Sequence, residues 1–132
     1  VPLYVREGAL VPLTVSSSVT GLGTSAHAGK LTLLAWPAAT ASTFRLHDEG
    51  DVVLELSVRA GELRFSALPK GAFVKLWTET APASINVGGN ALQRRTDKAA
   101  LDAAGDGYTP GEGHFTWLAI PASAQPAVVT WN

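Results

Sequence analysis

Alternation of apolar and polar residues is the feature that most constrains this chain. Between residues 51 and 59, every second position is apolar, and a period of two places those side chains on one face of a strand. The four positions are Val52, Leu54, Leu56 and Val58. An Ala-Gly pair at 60–61 precedes a second alternating run at 62–67, so the pattern predicts a β-hairpin.

The same periodicity predicts further strands, separated by Gly, Pro and Ser. They cover residues 3–6, 10–13, 31–36, 43–47, 72–78, 83–87, 114–120 and 127–131. Short strands at this spacing favour an all-β fold, an antiparallel β-sandwich. Its predicted core comprises Val52, Leu54, Leu56, Leu63, Phe65, Val74, Leu76, Leu118 or its neighbour Trp117, and Val129.

Two stretches interrupt this pattern. Residues 15–29 are rich in Ser, Thr and Gly and predict a long exposed loop. Residues 96–104 have the composition of a short helical turn, with Thr96 as the N-cap and Gly105 as the C-cap. A short strand followed by an insertion is the alternative there.

Composition excludes several classes of function. Ten basic and eleven acidic residues leave a net charge of −1 with no basic block, so we expect no nucleic-acid partner. Cysteine is absent, which excludes disulfides, thiol nucleophiles and Cys-ligated metals. No apolar run reaches membrane-spanning length, and we expect no membrane partner. The compartment stays open between secreted, periplasmic and cytoplasmic.

Candidate catalytic and metal-binding residues are few. The dense carboxylate cluster at 48–51 (Asp-Glu-Gly-Asp) is typical of a solvated turn and lacks the spaced oxygen ligands of a calcium loop. The histidines at 27, 47 and 114 have no zinc-type spacing. We therefore expect no catalytic residue, no metal and no cofactor in this chain. Because it contains no Met and begins within a predicted strand, we expect a piece of a longer polypeptide.

Aromatic side chains are the remaining candidates for binding. Trp36 precedes a proline at a strand end, and Phe73 and Trp77 share one face of a predicted strand. Sugar rings stack on exposed aromatic faces, so these three residues are candidate carbohydrate-binding positions, with core packing as the alternative.

Five segments of the sequence, at 1–13, 31–37, 44–51, 83–89 and 128–131, resemble glycoside hydrolase family 31, which includes α-glucosidases and α-xylosidases. Residues 1–13 (VPLYVREGALVPL) resemble the segment that follows the catalytic barrel in that family. Residues 31–37 (LTLLAWP) and 44–51 (FRLHDEGD) resemble a strand ending in Tyr-Pro and the motif Leu-Tyr-Glu-Asp-Asp-Gly. Residues 83–89 (ASINVGG) resemble a hairpin, and 128–131 (VVTW) the closing strand.

The resemblance implies a non-catalytic role for this chain. The family's two catalytic aspartates lie on the barrel, and no residue here matches their motifs. The implied function is a C-terminal β-sandwich module that supports or shapes an upstream barrel of the same protein. Residues 1–50 would end a barrel-proximal sandwich and 51–132 would form a distal one, or both would form one continuous domain. An autonomous carbohydrate-binding module and a generic adhesion sandwich are the alternatives.

Residues 1–13 are the predicted docking element. This segment is apolar apart from two charges and carries prolines at 2 and 12, which mark strand starts or sheet edges. An apolar edge of this kind invites pairing with another surface. The docking residues that we expect to face the barrel are Leu3, Val5, Arg6 and Glu7.

The isolated chain is expected to show no glycosidase activity, because it lacks a plausible carboxylate pair on rigid elements. The measurement is turnover of aryl α-glucoside and α-xyloside substrates by stringently purified chain. Activity that disappears on mutation of Asp48, Glu49 or Asp51 would contradict this prediction.

Overall fold

A computed structural model describes residues 8–13, 30–47 and 53–132, which form two packed β-sheets and one short helix. The strands are β1 (Leu10–Leu13), β2 (Leu31–Ala35), β3 (Ser42–His47), β4 (Val53–Arg59), β5 (Glu62–Phe65), β6 (Ala72–Trp77), β7 (Ile85–Val87), β8 (Asn90–Ala91), β9 (Gly107–Pro110), β10 (Phe115–Ile120) and β11 (Ala127–Trp131). Helix α1 (Lys98–Ala104) lies between β8 and β9. The predicted all-β sandwich is confirmed.

The strands divide into a five-stranded sheet A, ordered β1-β2-β6-β10-β9, and a six-stranded sheet B, ordered β3-β4-β5-β11-β7-β8. Neighbouring strands are antiparallel except for β2 and β6, which are parallel. Antiparallel neighbours can follow one another through a short turn, whereas parallel ones need a longer connection. Here the chain leaves sheet A after β2, builds β3, β4 and β5 in sheet B, and returns to sheet A as β6.

The core lies between the two sheets, on the faces that alternation predicts. Leu63, Val74, Leu76 and Val129 are fully closed off from solvent. Every predicted core position within the described residues is buried, and Leu118 rather than Trp117 is the one that faces inward. Each buried aliphatic side chain contributes about 1.5–3 kcal/mol relative to an exposed one.

Tight turns fix the strand register where the sequence supplies glycine. The β7–β8 hairpin turns at Gly88 and Gly89, with φ of 58° and 83° respectively. A two-residue hairpin loop with positive φ at both positions matches the twist of the strands, and glycine adopts it without steric cost. The hairpin-like motif at 83–89 therefore forms a hairpin in the structure.

The helical alternative at 96–104 is confirmed, with a corrected start. Asp97, not Thr96, is the N-cap, and its Oδ1 accepts a hydrogen bond of 2.8 Å from the Ala100 N–H. Gly105 ends α1 in the left-handed conformation, and its N–H donates to the Leu101 carbonyl at 2.9 Å. The short strands β8 and β9 were not predicted, because neither has an alternating pattern long enough to stand out.

Several sequence predictions fall outside the described residues. They are the strand at 3–6, the loop at 15–29, the acidic turn at 48–51 and the core position Val52. The division of the chain at residue 50 also stays a prediction. In both sheets a strand that precedes residue 50 pairs with a strand that follows it: β2 pairs with β6, and β3 pairs with β4. The one-domain alternative requires this arrangement.

Leu54→Ala is expected to destabilise the domain by about 2–5 kcal/mol, because Leu54 is 5% exposed and its truncation leaves a cavity. Unfolding in denaturant measures the loss. The neighbouring Val53→Ala is the matched control, since Val53 is 44% exposed on the opposite face and should change stability by about 0.5 kcal/mol or less. A larger loss for Val53→Ala than for Leu54→Ala would mean that the register is reversed.

Candidate functional site

The outer face of sheet B, called here the polar face, carries a ladder of ion pairs. Arg45 lies 3.4 Å from Glu55 across β3 and β4, and Glu62 on β5 pairs with both Arg59 and Arg64. Side chains of this kind are well solvated and give modest stabilisation. The polar face therefore has the chemistry of a surface that faces water.

Within this ladder, Glu62 is the carboxylate that accepts hydrogen bonds from two arginines. The hydrogen bond from Arg64, followed by that from Arg59, holds the pKa of Glu62 below its ordinary value. The same contact raises the pKa of Arg64. A general acid needs a raised carboxyl pKa, so the shift at Glu62 has the opposite sign from the one that acid catalysis requires.

The outer face of sheet A, called here the aromatic face, has a different chemistry. Its half-buried side chains are Trp36, Lys75, Trp77, Phe115 and Trp117. Alternation puts them there, since the residues between them on β6 and β10 point into the core. The Lys75 Nζ lies 4.6 Å from the Phe115 ring centre and 5.0 Å from that of Trp117. These are cation–π distances.

Burial is the main influence on the pKa of Lys75. It lowers the pKa of the Lys75 ammonium, Glu112 opposes the shift, and Lys98 adds to it. Lys98, at the start of α1, lies 5.0 Å from the Trp117 ring and pairs with Asp102 at 2.8 Å. The indole of Trp117 is thus held by two cations, one from the sheet and one from the helix.

The rings of the aromatic face do not lie in one plane. Trp36 and Phe115 meet edge to face, with ring centres 5.9 Å apart and planes at 85°. Trp77 is tilted by 43° against His114 at 5.3 Å. The aromatic face is therefore a corrugated apolar surface rather than a flat platform.

The structure corrects one candidate position. Phe73 is 1% exposed, packed with Leu101 of α1 and Ala119 of β10. The Lys30 Nζ lies 4.9 Å from its ring centre. A sugar ring cannot reach a side chain so enclosed, and the expectation that Phe73 contributes to a carbohydrate platform is wrong.

Trp77 also borders a cleft of about 200 Å³ at one end of the sandwich, called here the end cleft. Four segments line it: residues 37–39, the β4–β5 turn at 60–61, residues 77–79 at the end of β6, and Trp131 at the end of β11. Thr78 is one of the lining residues; its side chain is buried, and its Oγ1, which is closed off from solvent, has no hydrogen-bond partner among the described residues. A second depression, of about 290 Å³, lies over the polar face and has no tryptophan in its lining.

The acidic side chains of the described residues mostly have structural roles. Besides the polar face, Asp102 pairs with Lys98, Asp106 pairs with Arg95, and Asp97 caps α1. Across residues 8–13, 30–47 and 53–132 there is no cluster of three or more His, Asp or Glu side chains suited to a metal ion. Within the same ranges, no helix has the length and apolarity that crossing a membrane requires.

Sequence reasoning found Trp36 and Trp77 but did not bring Thr78, Glu79 or Trp131 into one site. The structure does so in the end cleft, although Trp131 lies more than fifty positions along the chain from Thr78 and Glu79. The docking candidates Leu3, Val5, Arg6 and Glu7 lie outside the described residues and stay predictions.

Comparison with solved structures identifies proteins that share this fold. An uncharacterized protein of Listeria monocytogenes superposes with a TM-score of 0.79 at 18% identity, covering 96% of this chain and 13% of its own. The cycloalternan-forming enzyme of L. monocytogenes, in complex with a pentasaccharide substrate, gives 0.76 with the same identity and coverage. A GH31 dextranase of Flavobacterium johnsoniae, complexed with glucose, gives 0.64 at 16% identity, covering 97% of this chain and 19% of its own.

These likenesses confirm, at the level of the fold, the resemblance to glycoside hydrolase family 31. The chain spans only 13–19% of the length of these three structures. No protein-family model and no curated protein matches its sequence.

Glu62→Gln is expected to lower the melting temperature at pH 7 by no more than a few degrees, because the variant loses both charged hydrogen bonds. The folded-state pKa is depressed, so the stabilisation exists above the unfolded pKa of about 4.3 and disappears as the pH falls through the folded value. Melts of both proteins at pH 7, 5 and 3 should therefore converge at the acid end.

Glu55→Gln is the control for that series. Its partner Arg45 lies at 3.4 Å, and both side chains are more than half exposed, so its effect should be smaller at every pH. Identical melting temperatures for Glu62→Gln and the unmodified chain at pH 7 would contradict the prediction.

Proposed function

We propose that this chain is a non-catalytic β-sandwich module of a family 31-like α-glycoside hydrolase. Its role is to support or shape a catalytic barrel elsewhere in the same protein, with O-glycosyl hydrolysis of the α-glucosidase or α-xylosidase type as the parent activity. The observation that carries the proposal is the superposition of 97% of this chain on 19% of the GH31 dextranase, a much larger protein. A compact unit that recurs within larger enzymes is typical of an accessory module.

The contrast between the two outer faces supports a docking role. Tryptophan and phenylalanine are enriched at protein interfaces, whereas charged residues are depleted at interface centres. The aromatic face has that composition, while the polar face carries paired charges. A module with one solvated face and one aromatic face is suited to resting against a neighbouring domain.

Ring geometry favours this role over a flat glycan platform on the same face. An extended sugar chain stacks best on rings that share a plane, and the 85° angle between Trp36 and Phe115 breaks any such plane. Edge-to-face packing and two lysine contacts instead fix the rings in place. Fixed aromatic side chains lose little conformational entropy when a rigid partner covers them.

The proposed docking surface joins the aromatic face to the sequence element at 1–13. Strand β1 is an edge of sheet A and contains Pro12. The N–H of Gly8 donates to the Trp36 carbonyl at 2.7 Å, so the described chain begins beside the aromatic face. We assign Leu3, Val5, Arg6 and Glu7 to the same contact with the barrel.

The test compares interface variants in the full-length protein that contains this chain. Phe115→Ser and the double change Leu3→Ser with Val5→Ser are expected to lower the melting temperature of the catalytic domain by several degrees, because they remove apolar contact area. Calorimetry separates the transitions of the two domains. The same variants are also melted as the isolated chain. The loss of melting temperature measured there reflects the stability of the module alone and is subtracted from the loss in the full-length protein.

Val53→Ser is the matched control, because Val53 is an exposed apolar residue on the opposite sheet. It should leave the catalytic domain unchanged. A catalytic domain whose melting temperature and activity do not respond to any interface variant, or to removal of the module, would refute the supporting role.

A further inference from the structure

We propose that the barrel domain of the same protein places a carboxylate against Lys75, beside the Trp117 indole of the aromatic face. The proposal rests on the docking role inferred above and adds the chemistry of the partner at this contact, an Asp or Glu side chain set in an apolar surface. We take the barrel domain as the partner because this chain spans only 13–19% of the length of larger structures that share its fold.

Two ammonium groups approach the same ring of the aromatic face. The Nζ of Lys75, on β6, lies 5.0 Å from the centre of the Trp117 ring, and the Nζ of Lys98, at the start of α1, lies at the same distance. The Lys75 Nζ is also 4.6 Å from the centre of the Phe115 ring. Positive charge is therefore concentrated within an otherwise aromatic surface, and the group that complements it is an anion.

The surroundings of Lys75 disfavour its charged form. Burial is the largest influence and lowers the pKa of the ammonium, the nearby charge of Lys98 lowers it further, and Glu112 acts in the opposite direction. A carboxylate on the partner counteracts both causes of the lowered pKa. It replaces lost hydration with charged hydrogen bonds, and it offsets the repulsion from Lys98.

Docking makes the requirement for an anion stronger. Lys75 and Lys98 are only partly buried in this chain, so water still solvates part of each side chain. A partner that covers the aromatic face removes that water, and enclosing an ammonium group is unfavourable unless the partner supplies an acceptor. A wholly apolar partner would therefore oppose the contact that the neighbouring rings favour. An apolar surface with one carboxylate satisfies both the rings and the cations.

The experiment is zero-length cross-linking of the full-length protein that contains this chain, followed by peptide mass spectrometry. A carbodiimide activates a carboxylate, and a lysine amine in contact with it displaces the urea by-product and forms an amide without spacer atoms. We expect an amide between Lys75 and one Asp or Glu of the barrel domain. The ion pair of Lys98 with Asp102, at 2.8 Å within the module, is the internal reference for the reaction.

Lys75→Met tests the energetic role of the contact. The variant keeps the length of the side chain and packs well against aromatic rings, but it leaves the partner carboxylate enclosed without a counter-ion. In calorimetry of the full-length protein, the melting temperature of the catalytic domain should fall by several degrees. The transition of the module itself should not fall, because the change removes a partly desolvated charge.

Two further variants control for charge and for position. Lys75→Arg keeps the positive charge, so its loss should be smaller than that of Lys75→Met. Lys70→Met removes an exposed lysine between β5 and β6, outside the aromatic face, and should leave the catalytic domain unchanged. In Phe115→Ser, the Lys75 cross-link should disappear while the reference link between Lys98 and Asp102 persists.

The outcomes separate this proposal from the docking role. If Phe115→Ser lowers the melting temperature of the catalytic domain, but Lys75 forms no link to the barrel and Lys75→Met has no effect, docking stands and the carboxylate contact is refuted. If neither variant affects the catalytic domain, the docking role fails and this contact fails with it. Cross-linking of Lys75 to Glu112 alone, or to a second copy of the protein at doubled mass, would also overturn the assignment.

Discussion

Burial of the inner faces of two sheets is the constraint on which the rest of this structure depends. Among the described residues, the inner faces of the two sheets pack against each other, and helix α1 packs on the outer face of sheet A. Because side chains alternate along a strand, closing one face against the core fixes what the other face presents. Val74 and Leu76 point inward with no exposed surface, and this places Lys75 and Trp77 outside. The aromatic face is thus a consequence of the core register.

Local pattern was sufficient to predict most strands and the buried residues. Leu54, Leu56, Leu63 and Phe65 follow directly from period-two alternation, and their burial confirms it. Pairing was less accessible to sequence reasoning, because a strand that is apolar on one face can pair in either direction. The parallel contact of β2 with β6 arises only because three strands of the opposite sheet intervene between them. Two-residue and four-residue strands such as β8 and β9 carry too little pattern to be recognised.

The candidate binding residues show even more clearly what sequence reasoning alone cannot predict. Phe73 and Trp77 share one strand face in the sequence pattern, yet α1 covers the first and leaves the second half-buried. Nothing near Phe73 in the sequence indicates this, because Leu101 reaches it from nearly thirty residues away. The end cleft is also formed by segments from four parts of the chain. An orphaned hydroxyl is a property of the assembled structure, so Thr78 gave no signal in the sequence.

Helix α1 divides the outer face of sheet A into an enclosed part and a half-buried part. The helix covers only one part of the outer face of sheet A, where Leu101 packs with Phe73 and Ala119. Its first residue, Lys98, contacts Trp117 from that side, and Lys75 holds the same ring from the sheet. On the rest of this face the described aromatic side chains are half-buried and form a corrugated surface, in which Trp36 and Phe115 meet edge to face. The core register and the position of α1 together therefore determine which aromatic side chains of sheet A stay half-buried and which one is enclosed.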